Sequence, residues 1–432
     1  MSDTANGVVC VAAMETPIPT SERIYLRELA RKQADYAALP IMEKRKQMWR
    51  DLNDGKPGAR PPIVIETWTF NRDFMPEGLI KCTHPAARGI EHQLLEAIRW
   101  HEILDDDRVI PSRFPIGWHT NINFLGIDIP RHTIKDSEGV ETGYHFDHPI
   151  TDLKVDRHKL KPAECSVDRE STYRWKHYLE DLLGDLLPVE IRTGVFGDMY
   201  LTQRVIHLMG MEAFFTAMYD TPEEVHALMG YLRDNALRVM HWAQDEGLLR
   251  LNNDNQQCCG SSSNFTNVLP ADGFAGAPAR LCDMWASSDS QETVGISKEM
   301  FHEFCFPYYR DICEPVGLLY YGCCEPADTF WNDLRNLPHL RKISISRWCN
   351  EPFMGEALKG TKIVYSRKPD PGLLGVDVKL NEEAWRQSIR QTIQATPGVL
   401  KEFLVRDVYS VHGDLRKPRR AVEIAREEID RI

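Results

Sequence analysis

The stretch Gly317-Leu318-Leu319-Tyr320-Tyr321-Gly322-Cys323-Cys324-Glu325-Pro326 contains the clearest fold signal in the chain. Residues 317–321 form a short apolar run, which predicts a buried strand of a parallel sheet. A helical pattern over residues 298–314 precedes this strand, and another over residues 329–335 follows it. Strands that alternate with helices are typical of α/β folds with parallel strands. The stretch therefore predicts one strand–helix unit of such a fold, with cysteines and an acid at the end of its strand.

The strand–helix pattern continues from this stretch to the carboxyl terminus. Further strands are predicted over residues 342–346, 363–365 and 399–404, and helices over residues 382–396 and 417–432. Repeated units of this kind predict a parallel sheet with right-handed crossovers. Because no glycine-rich phosphate loop opens any helix, we favour a closed α/β barrel over an open nucleotide-binding sheet.

The amino-terminal part of the chain has a different organisation. Residues 21–52 carry helical periodicity, and residues 119–127 form a strand-like run. Residues 128–172 are polar, punctuated by prolines and long for a connection, which indicates a functional insert. We therefore expect a helical segment over residues 1–60, packed on a barrel that spans residues 61–432.

The composition disfavours several classes of protein. The 432 residues include 64 acidic and 52 basic side chains, and the formal net charge is −12. No basic stripe is present that could neutralise nucleic-acid phosphates, and no apolar run approaches the roughly 20 residues of a membrane helix. The short apolar stretch over residues 8–14 follows no basic segment, so it is not typical of a secretory signal. We expect a cytoplasmic protein without nucleic-acid or membrane partners, in which the 11 cysteines are reduced thiols or metal ligands.

Motifs from the middle of the chain to its end follow the order seen in one superfamily. They are Phe196-Gly197-Asp198-Met199, Leu208-Met209-Gly210-Met211-Glu212, Asp220-Thr221-Pro222-Glu223, Asp289 followed by Ile296-Ser297-Lys298-Glu299-Met300-Phe301, Ser366-Arg367-Lys368-Pro369-Asp370-Pro371, and Val411-His412-Gly413. In this order they resemble the uroporphyrinogen-decarboxylase-like superfamily over residues 190–432, and more loosely over residues 20–130. The resemblance implies a (β/α)8 TIM-type barrel with its chemistry at the carboxyl ends of the strands. Barrels of this family often pair, which implies a homodimer.

Two kinds of enzyme belong to this superfamily. One removes carboxyl groups from uroporphyrinogen without a cofactor, and it holds the substrate with a Gln-Ala-Gly-Arg loop that this sequence lacks. The other consists of zinc-dependent methyltransferases, which carry a His-x-Cys motif after the sixth strand and a further cysteine after the eighth. Here Tyr321 stands at the histidine position, Cys323 matches the cysteine, and His412 stands at the eighth-strand position.

The resemblance to the methyltransferase branch implies a reaction and a partner. A methyl group would move between a small methylated substrate, for which a methoxylated aromatic compound is our first choice, and a corrinoid protein. The chain carries no Asp-x-His-x-x-Gly motif for binding a corrinoid. The cobalamin would therefore be supplied by the partner protein.

The residues near the motif offer a permuted set of zinc ligands. A catalytic zinc site takes about three protein ligands from thiolates, imidazoles and carboxylates and leaves one position open. Cys323 and His412 are the first candidates, and the third ligand could be Cys324, Glu325, Glu292 or Cys349. We favour Cys323 over Cys324, because successive side chains at a strand end diverge. Buried packing is the alternative role of these cysteines.

Other polar and aromatic side chains are candidates for catalysis and for substrate binding. The candidate catalytic residues are Asp289, Tyr321 and Glu325, and the candidate substrate contacts are His119, Asn121 and Trp285. Tyr321 has barrel packing as its alternative role, and Asp289 could be a solvated loop charge. The alternating residues of the 119–127 run could equally form an inward polar layer.

Three functional classes remain open from the sequence. A corrinoid-linked methyltransferase predicts bound zinc and a methyl acceptor. A decarboxylase predicts release of carbon dioxide from a polycarboxylate without a metal. A non-catalytic binding barrel predicts neither activity, and ligand binding that survives loss of both Cys323 and His412.

Overall fold

The computed structural model describes residues 16–137, 141–197, 199–258 and 261–431. The apolar stretch 8–14 lies outside these described residues. The strands are β1 (Ile63–Ile65), β2 (Phe114–Ile116), β3 (His119–Asn123), β4 (Arg131–Lys135), β5 (Glu141–Phe146), β6 (Glu164–Asp168), β7 (Val189–Ile191), β8 (Trp285–Ser288), β9 (Leu318–Tyr321), β10 (Leu340–Ile345), β11 (Val364–Arg367) and β12 (Lys401–Val405).

The centre of the molecule is a six-stranded sheet with the order β1-β12-β11-β10-β9-β8, in which all neighbouring strands run parallel. Every residue of β1, β9, β11 and β12 is buried, as expected for parallel strands covered on both faces. Strands β2 and β7 form a separate parallel pair. The predicted parallel α/β fold is therefore confirmed, although no ladder joins the two sheets within the described ranges.

Helices connect the parallel strands and cover the sheet. The α-helices span Thr20–Ala37, Pro40–Asn53, Asn71–Phe74, Pro85–Arg99, Leu153–Asp156, Arg169–Leu183, Leu201–Met209, Met211–Asp220, Pro222–Asp245, Lys298–Phe304, Phe306–Cys313, Trp331–Leu334, Glu351–Leu358, Gly372–Gly375, Glu382–Ala395 and Arg416–Ile429. The helical pattern of residues 21–52 contains two helices, because Pro40 lacks an N–H and restricts Leu39 to an extended conformation. The pattern over 298–314 is likewise divided, at Cys305.

The helix Pro40–Asn53 packs against the six-stranded sheet. The indole N–H of Trp49 donates to the carbonyl oxygen of Asp107 at 2.9 Å. The Asn53 amide donates to the carbonyl oxygens of Ser263 and Phe265 at 2.9 and 2.7 Å. Trp49 also belongs to an apolar cluster with side chains of β1, β9 and β12. These contacts attach the amino-terminal helices to the body of the fold.

A fully buried ion pair lies inside the curled sheet. Lys342 of β10 and Glu402 of β12 have no exposed side-chain surface, and Nζ lies 3.0 Å from Oε2. The hydroxyls of Ser262 and Ser366 donate to the two oxygens of Glu402 at 2.9 and 2.6 Å. Each charge is therefore compensated by a partner of opposite charge and by hydrogen bonds, as buried ions require.

The strand-like run over residues 119–127 does contain a strand, but that strand lies outside the six-stranded parallel sheet. Its residues form β3, which pairs antiparallel with β6, while the parallel strand of this region is β2. Alternation of polar and apolar residues is typical of half-exposed antiparallel strands, whereas parallel strands covered on both faces are near-continuous apolar runs. The predicted insert 128–172 contains β6 and the antiparallel pair β4–β5.

In the part of the chain that the structure describes, no helix is long and apolar enough to cross a bilayer.

Candidate functional site

Chemically reactive side chains gather where the parallel strands end. Glu66 follows β1, Asp289 follows β8, Lys368 follows β11 and Arg406 follows β12, while Cys323 lies just beyond β9. Carboxyl ends of parallel strands meet at one edge of a sheet, where α/β proteins place their chemistry. We call the following residues the Cys323 cluster: Glu66, Asp289, Glu292, Cys323, Cys324, Glu325, Lys368 and Arg406.

The loop that carries Cys323 is held by hydrogen bonds from several strands. The carboxylate of Glu325, which is fully buried, accepts from the backbone N–H groups of Cys323 and Ser290 at 2.8 and 3.2 Å. The carbonyl oxygen of Cys323 accepts from the Ser344 hydroxyl and the Lys368 ammonium, both at 2.7 Å. The position of the Cys323 thiol is therefore determined by neighbouring strands as well as by its own loop.

The two thiols have different surroundings. Arg406 Nη1 lies 3.5 Å from Cys323 Sγ, and Arg406 is itself held by Glu66, with Nε and Oε2 2.9 Å apart. Cys324 Sγ lies 3.6 Å from Cys323 Sγ and 3.9 Å from Asp407 Oδ2. The hydrogen bond with Cys323 and partial burial raise the pKa of Cys324. The Cys323 thiol therefore has a guanidinium group beside it, and an adjacent cation favours the reactive thiolate form of a cysteine.

The carboxyl groups around Cys323 are buried close to one another. Burial, together with the nearby charges of Glu325, Cys323 and Glu292, raises the pKa of Asp289 well above its usual value. Burial also raises the pKa of Glu292, whose Oε2 accepts from the Thr202 hydroxyl at 2.7 Å. Negative charge is therefore unfavourable at these carboxyls unless a cation balances it.

The structure shows what the loop residues Tyr321 and Cys349 contact. Tyr321 has no exposed surface, and its hydroxyl lies 2.6 Å from that of Ser290, which corresponds to the packing alternative. Cys349 Sγ accepts from the backbone N–H of Ala327 at 3.2 Å and lies 3.6 Å from the Ser346 hydroxyl. Both side chains therefore make packing contacts with residues next to the Cys323 loop. Their predicted catalytic and metal-binding roles stay predictions.

His412 does not contribute to a three-donor group with Cys323. Its Nε2 lies 3.1 Å from the carbonyl oxygens of both Gly375 and Val376, so this nitrogen donates its proton to the backbone. The residue lines an open surface cleft together with Arg416 and Arg419. Among the described residues, the groups of three or more metal-ligating atoms within 4.8 Å of one another do not include Cys323 or His412. The position of His412 in the sequence could not reveal where its imidazole points. His412 has a left-handed backbone conformation with φ of 56°, which changes the direction of the chain at this residue.

The predicted substrate contacts do not lie at the strand ends that carry the Cys323 cluster. His119 and Asn121 belong to β3, and Trp285 is the first residue of β8. His119 Nδ1 lies 2.5 Å from the Ser171 hydroxyl, and Asn121 lines a polar surface pocket between β3 and β6. Trp285 is buried at the amino end of β8, and its indole donates to the Asn264 carbonyl at 3.0 Å. Trp285 is therefore a core residue, and the roles of His119 and Asn121 stay predictions.

Glu66, Lys368 and Arg406 are members of the cluster that the sequence reasoning missed. Each is a charged residue that follows a buried strand directly or within one residue. That position could have identified them, since charges seldom occur beside parallel strands without a function or a partner. Which of them meet in space depends on the order of the strands in the sheet.

Gly322 offers a direct test of the loop geometry. Its φ is +99°, and an added Cβ would lie 2.9 Å from Cβ of Ser344. We expect Gly322→Ala to lower the free energy of unfolding by at least about 1 kcal/mol more than Gly360→Ala. Gly360 is the matched control, because it also has positive φ, +72°, but an added Cβ there would have no atom within 4 Å. Urea denaturation of both variants measures the difference, and equal losses would contradict the close contact.

Comparisons with known proteins add little to this geometry. No family model matches the sequence, and no curated protein matches it. Among solved structures, a methyltransferase from Methanosarcina mazei is similar with a TM-score of 0.49 and 10% sequence identity, over 89% of this chain and 98% of that chain.

Proposed function

We propose that the protein is a zinc-dependent methyltransferase that exchanges a methyl group between a small methylated substrate and a corrinoid protein, on a closed (β/α)8 barrel. The observation that carries the proposal is the Cys323 thiol, set among buried carboxyl groups at the carboxyl ends of the parallel strands. Thiolate and carboxylate are both zinc ligands. A barrel mouth is the position at which such a site would meet substrate.

The donor types of the cluster suit a divalent cation, but the side chains would have to draw together to hold one, because no three of their donor atoms lie within 4.8 Å of one another among the described residues. Burial and mutual repulsion disfavour ionisation of Asp289 and Glu292, and a bound cation would reverse both effects. Cys323, Asp289 and Glu292 would be the ligands, which leaves a position for substrate. Zinc would supply Lewis-acid stabilisation of the charge on the heteroatom that carries the methyl group.

Other side chains of the cluster orient the ligands. Glu325 binds the backbone N–H of Cys323, and Lys368 binds its carbonyl oxygen, so the backbone that carries the thiol is held at both of its polar groups. Arg406, anchored by Glu66, places a positive charge at the sulfur, which would favour the thiolate. In metal enzymes, contacts of this kind hold the ligands in the orientation that the metal requires.

The charge distribution disfavours the decarboxylase alternative. A polycarboxylate needs cations that are directed at the substrate, and bidentate arginines serve best. In the cluster, Lys368 is hydrogen-bonded to a backbone carbonyl and Arg406 to Glu66, while Asp289 and Glu292 would repel carboxylates when ionised. The arrangement is better suited to a cation than to a polyanion.

The direct test is a methyl-transfer assay with reduced cobalamin. The purified protein would be incubated with cobalamin and a panel of methoxylated aromatics, methylamines and methylthiols, and methylcobalamin would be followed by its absorbance. We expect one class of donor to react, and the purified protein to contain zinc. Failure of every donor with zinc bound would favour a binding barrel, and carbon dioxide release from a polycarboxylate would favour the decarboxylase. Zinc below about one-third of an equivalent, and unchanged in Cys323→Ser, would contradict the metal site.

A further inference from the structure

The hairpin formed by β4 and β5 carries a second group of metal-ligating side chains, apart from the strands of the Cys323 cluster. His132 and His145 are directly opposite one another in the antiparallel ladder. The backbone N–H of Asp147 donates to the Pro130 carbonyl at 3.0 Å, which extends the pairing by one step. Opposed residues share a face of a hairpin, and so do residues two apart on one strand. The backbone alone therefore places these three side chains on one face.

The side chains converge as well as share a face. His132 Nε2 lies 2.7 Å from Asp147 Oδ2, and the two imidazole rings stack with centroids 4.8 Å apart and planes at 18°. One donor atom from each of the three residues lies within 4.8 Å of the others. Ligands of a tetrahedral zinc ion lie about 3.4 Å apart, given bonds of about 2.0–2.2 Å. Rotation of exposed side chains covers this small difference without a change in the backbone.

From this geometry we infer that His132, His145 and Asp147 bind a divalent transition metal ion such as zinc and thereby clamp β4 to β5. Imidazole ligands select ions of the zinc, nickel and copper type, and one carboxylate is compatible with them. His132 and Asp147 are 51% and 58% exposed, so an ion can enter from solvent and keep water in its remaining positions. Because the hairpin projects from the insert between β2 and β7, the ion would rigidify a segment that has no other strand beside it in the described residues.

Metal binding to His145→Ala tests the inference. This variant removes one ligand and leaves the His132–Asp147 hydrogen bond in place. His158→Ala is the matched control, because His158 is an exposed histidine of the same insert whose Nδ1 lies 2.7 Å from the Val155 carbonyl. Equilibrium dialysis against zinc chloride would measure affinity and stoichiometry for the full-length wild type and both variants. Since the Cys323 cluster is unchanged throughout, differences between variants report on the hairpin alone.

We expect His145→Ala to bind one equivalent less zinc than wild type, or to bind that equivalent at least about tenfold more weakly. The His158→Ala variant should match wild type. Zinc should also slow proteolysis within residues 131–146 of wild type and His158→Ala, and leave His145→Ala unprotected. Equal zinc binding by His145→Ala and wild type would overturn the inference, and so would equal proteolysis with and without zinc in wild type.

Discussion

Replacing Lys342 with methionine is expected to lower the free energy of unfolding by about 3–5 kcal/mol. The ammonium group lies 3.0 Å from Glu402 Oε2 in a site without solvent exposure, and it also lies 5.2 Å from the ring centroid of Trp49. Without it, Glu402 is left as an uncompensated buried carboxylate, or takes up a proton at a cost that reduces stability. Urea denaturation followed by tryptophan fluorescence would measure the change.

A double variant distinguishes the effect of the unbalanced charge from the effect of the changed side-chain volume. The double variant Lys342→Met/Glu402→Gln removes both charges and should recover a large part of the loss, because a neutral pair leaves no unbalanced ion. Lys359→Met is the matched control, since Lys359 is 58% exposed and pairs with an exposed Glu356 at 3.4 Å. It should change stability by less than about 1 kcal/mol. Equal stabilities of the Lys342→Met and Lys359→Met proteins would contradict the importance of the buried pair.

Replacing Cys323 with serine is expected to abolish zinc binding at the cluster and to reduce methyl transfer by at least about 100-fold. Serine cannot supply the thiolate ligand, and loss of even an outer-shell partner costs about 10–100-fold in metal affinity or activity. The measurements are zinc content after purification and the initial rate of methylcobalamin formation. This prediction rests on the proposed function.

A second cysteine provides the control for this substitution. Cys282 is a half-buried free cysteine whose Sγ lies 4.0 Å from Asp283, on a segment before β8. The Cys282→Ser variant should retain zinc and rate within about twofold of wild type, because it keeps every member of the cluster. Full zinc content and full activity in Cys323→Ser would remove Cys323 from the site. Loss of both properties in Cys282→Ser would instead indicate general instability.

The sequence by itself determined the parallel part of the fold. Strands predicted over 317–321, 342–346, 363–365 and 399–404 occur within two residues of those bounds, because a parallel strand covered on both faces is mostly apolar. The same reasoning placed Cys323 and Glu325 at the end of a strand. It also indicated a strand within the 119–127 run, but not that this strand, β3, pairs antiparallel with β6 outside the parallel sheet.

Only the tertiary structure decided which strand ends meet. Glu66 and Arg406 are 340 residues apart in the chain and form an ion pair beside Cys323, because β1 and β12 are neighbours in the sheet. His412 follows the same strand β12, yet its imidazole bonds to the backbone of residues 375 and 376. A strand's apolar pattern determines that it is buried, but the order of strands and the turns after them determine which side chains share a site.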